Sequence, residues 1–174
     1  MPNKLLSLLR VEIFSWSYFF ISILPGYHFS NKIRGLFIGL FLKHKGANLI
    51  LNREVIIEVP HNITLGNNVG INARCWISGG GLLDIGDNVL IGPNVTIVTS
   101  NHNYSNLNSP IQEQGDTADA VSIGSNSWIG SAVVILPGVQ IGANSIIGAG
   151  SIVTKSLSGN AVYAGNPAKK IKDR

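Results

Sequence analysis

Branched aliphatic residues recur at every sixth position in the C-terminal third of the chain. The series runs from Ile123 to Val153 in steps of six, and glycine follows four of its six members. An α-helix of 3.6 residues per turn cannot keep such a repeat on one face, and the alternation of a flat strand does not produce it. A triangular coil does, because each of its three sides takes one hexad. The spacing therefore predicts a parallel β-helix.

The same spacing extends towards the N-terminus with one interruption. Hexads begin at Leu65, Ile71 and Ile77, two residues are inserted in the stretch ISGGGLLD, and the series resumes at Ile85. Between residues 49 and 63, where the first coil is expected, the spacing is ragged. The fifth hexad position is also small or apolar, so we predict that positions one and five face the interior. These fifth positions are Val69, Cys75, Val89, Val95, Val133 and Val139.

Asparagine marks several corners of the predicted coil. Asn67-Asn68, Asp87-Asn88 and Asn144 stand where the backbone has to turn sharply. Glycine adopts the positive φ of such corners freely, and asparagine does so more readily than most residues. The corner residues therefore agree with the hexad pattern.

Two apolar segments precede the repeat, at residues 11–24 and 36–42. On a helical wheel Glu12, Ser15 and Ser22 share one side of the first segment, opposite Phe14, Phe20 and Ile21. We predict two helices that pack on the body or on a neighbouring subunit. The alternative is an anchor that lies on a membrane surface, because 14 residues are fewer than the roughly 20 that a membrane span requires.

The expected organisation is one domain with three parts. Residues 1–45 form an N-terminal helical segment, and residues 46–156 form the β-helix with an extruded loop at 103–120. Residues 157–174 form a C-terminal extension that covers an open end of the coil or extends along a neighbouring subunit. The apolar run at residues 5–9 is interrupted by Arg10 and lacks a small-residue cleavage site, so it is not interpreted as a targeting signal.

Composition narrows the class of protein. Of 174 residues, 45% are hydrophobic and 13% are charged, which argues against disorder and suits a fold that hides surface by oligomerising. The net charge of +4 is local, and the basic C-terminal tail has no interleaved aromatic residues that would favour nucleic-acid binding. The single cysteine, Cys75, cannot form an internal disulfide and is predicted to be buried, which fits a reducing compartment.

One long polar stretch leaves the coil. Ile97 and Ile123 are 26 positions apart, so about twenty residues project as a loop, and His102 stands at its base. Loops that project from a rigid scaffold often carry function. Imidazole, which titrates near neutrality, is suited to remove a proton from an alcohol. His102 is therefore the candidate general base.

The repeat resembles that of the hexapeptide-repeat acetyltransferases, through NSWIGSAVVILPGVQIGANSIIGAGSIVTK and the later GNPAK. It is most similar to maltose, galactoside and colanic acid-type polysaccharide O-acetyltransferases. The resemblance implies a left-handed parallel β-helix, a homotrimer, and acetyl-CoA bound between the coils of adjacent subunits. No metal is expected.

The resemblance assigns roles to individual positions. His102 matches the catalytic base, and Ser131 matches a residue whose backbone N–H faces the thioester oxygen. Asn72 matches a contact to the acceptor sugar, and Trp128 matches a residue beside the cleft. The positions that match the coenzyme site are Ala149, Thr154, Lys155, Lys169 and Lys170. For three of the assigned residues a purely structural role is the alternative. Asn72 would be a corner residue, Trp128 would cover the coil surface, and Thr154 would end a strand.

The chain departs from the pattern of these sugar acetyltransferases in its loop. Asn103 and Tyr104 follow the histidine, where the family often has proline or aspartate. The loop lacks the arginine that those enzymes often carry and has Glu113, Asp116 and Asp119 instead. These differences concern the acceptor more than the chemistry.

The expected function is acetyl transfer from acetyl-CoA to a sugar hydroxyl of a surface polysaccharide or its precursor. The expected location is the cytoplasm or the inner membrane face. The main alternative is N-acetylation of a nucleotide-linked amino sugar, and a non-catalytic binding trimer is a further one. A zinc enzyme of the γ-carbonic anhydrase type needs two histidines five positions apart. Leu107 and Ile97 occupy those positions around His102, which excludes that site.

Overall fold

The architecture comes from a computed structural model that describes residues 12–14 and 16–174. The apolar run at residues 5–9 and Ser15 lie outside the described residues. The repeat forms a parallel β-solenoid of about six turns, preceded by two short helices. The predicted solenoid is therefore confirmed.

Each of the first five turns contributes one strand to each of three parallel sheets. Sheet A consists of β1 (His44–Lys45), β4 (Ile63–Leu65), β7 (Leu83–Ile85), β12 (Val121–Ile123) and β15 (Gln140–Ile141). Sheet B contains β2 (Ile50–Leu51), β5 (Gly70–Ile71), β8 (Leu90–Ile91), β13 (Trp128–Ile129) and β16 (Ile146–Ile147). Sheet C consists of β3 (Ile56–Glu58), β6 (Trp76–Ser78), β9 (Thr96–Ile97), β14 (Val134–Ile135) and β17 (Ile152–Val153). The chain passes from A to B to C and then begins the next turn.

The first coil is regular, although its sequence spacing is ragged. His44 pairs with Thr64 and Thr64 with Asp84, so the early turns take 20 residues, whereas Ser122 pairs with Gln140 in a turn of 18. Two extra residues thus occur in both early turns, at the corner between sheets C and A. A 3₁₀ turn at Pro60–Asn62 holds them in the first turn. The sequence pattern showed only the second insertion.

Side chains at the first hexad position fill the interior of the coil. All of them from Leu51 to Val153 are buried, together with the predicted fifth positions. Serine replaces the apolar residue at some fifth positions, where its hydroxyl bonds to the backbone. The Oγ of Ser145 donates to the Gly142 carbonyl and that of Ser151 to the Gly148 carbonyl, both at 2.6 Å. The interior therefore contains no unsatisfied hydroxyl at these two positions.

The corners adopt the left-handed backbone conformation at the fourth hexad position. Asn68 and Asn144 have φ angles of 56° and 60°, as their residue type predicts. Glu54, Arg74 and Ala132 occupy the same conformation at equivalent corners, with φ angles of 57°, 58° and 56°. The coil geometry therefore imposes positive φ even where the residue does not favour it.

Two helices cover the N-terminal end of the coil. Helix α1 comprises residues 12–14 and 16–22, and α2 comprises His28–Gly39. Gly35 of α2 lies so close to the first coil that a Cβ atom there would stand 2.2 Å from the Leu49 carbonyl oxygen. None of the described helices is long and apolar enough to cross a membrane. Phe20 was expected on the packed side of α1, but its side chain is 63% exposed.

The long polar stretch contains secondary structure that the sequence did not predict. Strands β10 (Ser100–His102) and β11 (Asp116–Ala118) form an antiparallel hairpin, with a 3₁₀ turn at Ile111–Glu113 between them. After the last coil, β18 (Ala161–Ala164) joins sheet B next to β16, and β19 (Lys169–Asp173) pairs with β18 in the antiparallel direction.

Candidate active site

His102 is held by a carboxylate across the hairpin. It is the last residue of β10 and lies directly opposite Asp116, the first residue of β11. The Nδ1 atom of His102 contacts a carboxylate oxygen of Asp116. A carboxylate at Nδ1 favours the tautomer with the proton on that nitrogen, which leaves Nε2 free to accept a proton. Sequence reasoning mentioned Asp116 only as an acidic loop residue and assigned it no role.

Side-chain hydrogen bonds fix the shape of the hairpin beyond His102. The Asn103 side chain donates to the Gln114 carbonyl at 3.0 Å and accepts from the Thr117 hydroxyl at 2.7 Å. The Gln114 side chain donates to the carbonyls of Asn106 and Ser109 at 2.9 and 2.8 Å. The segment that positions His102 is therefore internally braced, although most of its surface is exposed.

A buried threonine anchors the base of the hairpin to the coil. Thr99 is fully buried; its hydroxyl donates to the Ser78 carbonyl at 3.0 Å and accepts from the Gly81 N–H at 2.8 Å. Its carbonyl accepts from the Asp119 N–H at 2.9 Å, on the returning strand. Thr99 thus links both ends of the hairpin to the coil, through its backbone carbonyl on the returning strand and through its hydroxyl on the coil.

Asn72 and Trp128 line the same shallow depression on the outer face of sheet B. The depression has a volume of about 240 Å³, and Leu90 and Gly92 also line it. The Asn72 side-chain oxygen accepts from Ala73 N–H at 2.8 Å and from the Asn52 side chain at 3.2 Å. Asn72 therefore does act as a corner residue that links neighbouring backbone and side-chain groups. Its amide NH₂ donates to no group among residues 12–14 and 16–174 and is free for a ligand hydroxyl.

Ser131 presents an unused backbone donor. Its carbonyl accepts from the Gly150 N–H at 2.8 Å, but within the described part of the chain its own N–H bonds to no acceptor. Gly92 lies against this amide: a Cβ atom at Gly92 would stand 2.8 Å from the Ser131 nitrogen. The small side chain of Ala149, one turn further along, is exposed. This region could therefore receive a carbonyl oxygen.

The predicted site residues divide between two edges of the prism. Asn72, Ser131 and Ala149 precede strands β6, β14 and β17 of sheet C, so they lie along the edge between sheets B and C. We call this the B–C edge. His102 and Thr154 follow strands β9 and β17. They lie along the opposite edge of sheet C, the C–A edge.

The remaining candidates follow the same division. Lys155 is next to Thr154 on the C–A edge, whereas Lys169 pairs with Ala164 at the end of a sheet B strand, on the B–C edge. Lys170 lies beside it, with its Nζ atom 2.6 Å from an Asp173 carboxylate oxygen. That hydrogen bond to Asp173 raises the pKa of Lys170. Sheet C therefore separates His102 from the Ser131 amide within one chain.

Over the described part of the chain, no three His, Cys, Asp or Glu side chains are grouped in a way that could hold a metal ion.

Cys75 is buried, and its thiol donates to the Gly92 carbonyl at 3.1 Å. Burial raises the pKa of the Cys75 thiol, which disfavours a reactive thiolate. The predicted structural role of Cys75 fits these contacts.

Comparison with known proteins identifies the repeat. The family described as bacterial transferase hexapeptide (six repeats) matches residues 120–155. Galactoside O-acetyltransferase of Escherichia coli (strain K12) is 42% identical over 129 residues, which are 74% of this chain and 62% of that protein. The matched region thus spans less than two thirds of the length of this relative.

Solved structures share the solenoid architecture to different extents. A galactoside acetyltransferase in complex with coenzyme A superposes with a TM-score of 0.82 at 35% identity, covering 95% of this chain and 79% of that one. An AntD N-acyltransferase mutant from Bacillus cereus, in complex with dTDP-4-amino-4,6-dideoxyglucose and coenzyme A, has a TM-score of 0.63 at 25% identity. That match covers 78% of this chain and 86% of the other. The solenoid is a left-handed parallel β-helix, and the chain belongs to the hexapeptide-repeat acetyltransferase family.

Proposed function

We propose that the protein transfers an acetyl group from acetyl-CoA to a sugar hydroxyl, in a surface polysaccharide or its precursor. The observation that carries this proposal is the His102–Asp116 pair, which stands on a braced hairpin at one edge of the coil. The other edge carries the Ser131 backbone N–H, which bonds to no acceptor among the described residues. These are the base and the oxyanion donor that acyl transfer requires.

The chemistry needs no covalent enzyme intermediate. Nε2 of His102 removes the proton of the acceptor hydroxyl while that oxygen attacks the thioester carbonyl carbon. The negative charge that develops on the carbonyl oxygen is stabilised by the Ser131 N–H, a contribution of about 3 kcal/mol for one such donor. The tetrahedral intermediate then breaks its C–S bond, and the imidazolium returns the proton to the sulfur of coenzyme A. Asp116 holds the ring and stabilises its charged form.

A single chain leaves these two halves apart, and this separation supports a homotrimer. When three copies close a ring, the C–A edge of one protomer meets the B–C edge of the next. His102 of one copy then faces Ser131 and Ala149 of its neighbour. Three equivalent sites form, each with both halves.

The same apposition provides a cleft for the coenzyme. Ala149 leaves room for the pantetheine arm, and Thr154 and Lys155 border the cleft from the other protomer. Lys169 offers an ammonium group for phosphate, whereas Lys170 is partly engaged by Asp173. Acetyl-CoA supplies the activated acetyl group, and these residues bind and orient it.

The depression that contains Asn72 and Trp128 suits a sugar. A flat indole face packs against the apolar C–H face of a sugar ring, and the free Asn72 amide can donate to a ring hydroxyl. Similarity favours O-acetylation, because identity to the galactoside O-acetyltransferase exceeds identity to the N-acyltransferase.

We place the reaction in the cytoplasm, since the lone buried thiol fits a reducing compartment.

A coupled thiol assay tests the proposal. The protein is incubated with acetyl-CoA and, separately, with galactosides, maltose, polysaccharide fragments and a nucleotide-linked amino sugar, and released coenzyme A is measured. Acceptor-dependent release with a sugar that has only hydroxyl groups, lost in His102→Ala, is the expected result. Release only with the amino sugar would make the protein an N-acetyltransferase. If no acceptor causes release of coenzyme A, the proposal is contradicted and a non-catalytic binding trimer is the remaining interpretation.

A further inference from the structure

Helix α1 presents an apolar face to solvent. Ile13, Trp16, Phe19 and Phe20 are each more than half exposed and lie within one third of the helix circumference, and the exposed Ile23 directly follows the helix. Of the 19 exposed large hydrophobic residues in the described chain, nine lie between residues 13 and 40. The exposed apolar surface is therefore concentrated in these two helices.

The orientation of α1 is fixed by its opposite face. The Phe14 ring packs edge-on against Phe41 with centroids 4.7 Å apart, and the Tyr18 hydroxyl donates to the Val55 carbonyl of the first coil. Arg34, fully buried in α2, donates to the carbonyls of Leu24 and Pro25 in the segment between the helices. Rotating α1 to hide Trp16 and its neighbours would break the contacts of Phe14 and Tyr18.

Helix α2 continues the exposed surface and adds positive charge. Phe29, Lys32, Leu36 and the C-cap Leu40 share its outer side, opposite the buried Arg34. Residues 1–45 contain six Lys and Arg against one acidic residue, whereas the remaining residues contain seven against eight. The net positive charge of the chain thus lies in residues 1–45, where Arg34 is buried and Lys32 and Lys43 are exposed.

Aromatic and aliphatic side chains next to lysines are typical of helices that lie in the interface of an anionic membrane. A second copy is a poorer occupant, because apposing two such faces would bring their lysines together. We propose that the outer faces of α1 and α2, from Ile13 to Leu40, bind anionic lipid membranes. If the ring of three forms, its symmetry places three such faces at one end. The binding itself does not depend on the ring or on the reaction.

For the proposed reaction, membrane binding determines where the enzyme meets its acceptor. A membrane-bound enzyme reaches sugars on lipid carriers without three-dimensional search, and three anchors bind more strongly than one. This consequence rests on the proposed function. Membrane binding and acetyl transfer are measured in separate experiments. A failure of either proposal therefore does not decide the other.

Vesicle flotation tests the proposal with the full chain. The probes are phosphatidylcholine vesicles with and without about 30% phosphatidylglycerol. Wild type is expected to float with the anionic vesicles, and to do so less as ionic strength rises from about 0.05 to about 0.5 M. His102→Ala should float like wild type, which separates binding from catalysis.

Matched variants locate the binding surface. Trp16→Glu with Phe20→Glu should weaken binding to anionic vesicles by about tenfold or more. The control is Ile171→Glu in β19, whose side chain is 62% exposed, like Trp16 and Phe20 at 63% each. Circular dichroism establishes that all variants fold. The proposal is overturned by absence of flotation, by equal binding to neutral vesicles, or by equal binding of the double variant. Pairing of oligomers through this face without lipid binding would also overturn it.

Discussion

The Nδ1 atom of His102 contacts the carboxylate of Asp116, which is its direct partner in the hairpin register. The pair therefore depends on strand pairing rather than on proximity in the sequence. Since His102 and Asp116 form the pair of this ladder farthest from the coil, a base and its orienting acid project together from the C–A edge. The second half of the chemistry must come from another edge.

Asp116→Asn tests whether the carboxylate supports the base. The amide can still accept a hydrogen bond from Nδ1–H, but it cannot stabilise the imidazolium by charge. We expect kcat to fall by about 10- to 100-fold with little change in the KM for acetyl-CoA. Steady-state kinetics on the folded variant measure both constants.

Asp119→Asn is the matched control for that substitution. Asp119 is an exposed acid of the same loop, and its backbone N–H, which the substitution leaves in place, holds the hairpin base. Its variant should retain wild-type kcat. Equal losses in the two variants would mean that the loop needs negative charge and that Asp116 has no special role.

The corner at Glu54 predicts an increase in stability on substitution. Its φ of 57° is unfavourable for glutamate, and glycine adopts it without strain. Glu54→Gly should therefore stabilise the protein by about 0.5 to 1 kcal/mol. Glu58→Gly makes the same chemical change in the extended strand β3 and should destabilise by a similar amount. Urea unfolding compares the two, and changes of the same sign would contradict the corner argument.

Tyr18 predicts a pH dependence of stability. Burial raises the pKa of Tyr18 to about 12, whereas an unfolded phenol titrates near pH 10. The folded state therefore keeps a proton that the unfolded state loses. This contribution to stability is complete below about pH 10 and is lost as the pH rises towards 12.

Tyr18→Phe removes this titration. Its free energy of unfolding should fall less than that of wild type between about pH 9 and 11, although at neutral pH it should be lower by about 1 kcal/mol because the bond to Val55 is lost. Denaturant unfolding across this range measures both effects. Tyr27→Phe, at an exposed tyrosine, is the control. Parallel curves for wild type and Tyr18→Phe would refute the assignment.

Hexad spacing predicted the interior because it depends only on which positions are apolar. Residues such as Ile129 and Val133 are buried where the repeat places them. The first coil was less clear because the insertion before Ile63 shifts the period once more. Arg74 shows the limit of residue type at corners, since the coil imposes positive φ on it.

Other features depend on contacts that no local pattern records. The polar sequence of the loop contains no alternation that would reveal the register of His102 with Asp116. The helical wheel placed Phe20 with Phe14, but α1 is oriented by distant contacts such as that between Phe14 and Phe41. The division of the site between two edges follows only once the sheet order is known.

Mixing two inactive variants tests the shared site most directly. His102→Ala disables the C–A half, and Ala149→Trp, at an exposed alanine, blocks the B–C half. When equal amounts are unfolded and reassembled together, each mixed trimer contains one site with two intact halves. The mixture should then recover about a quarter of wild-type activity. If each site were formed within one chain, the mixture would remain as inactive as either variant alone, and the account would be wrong.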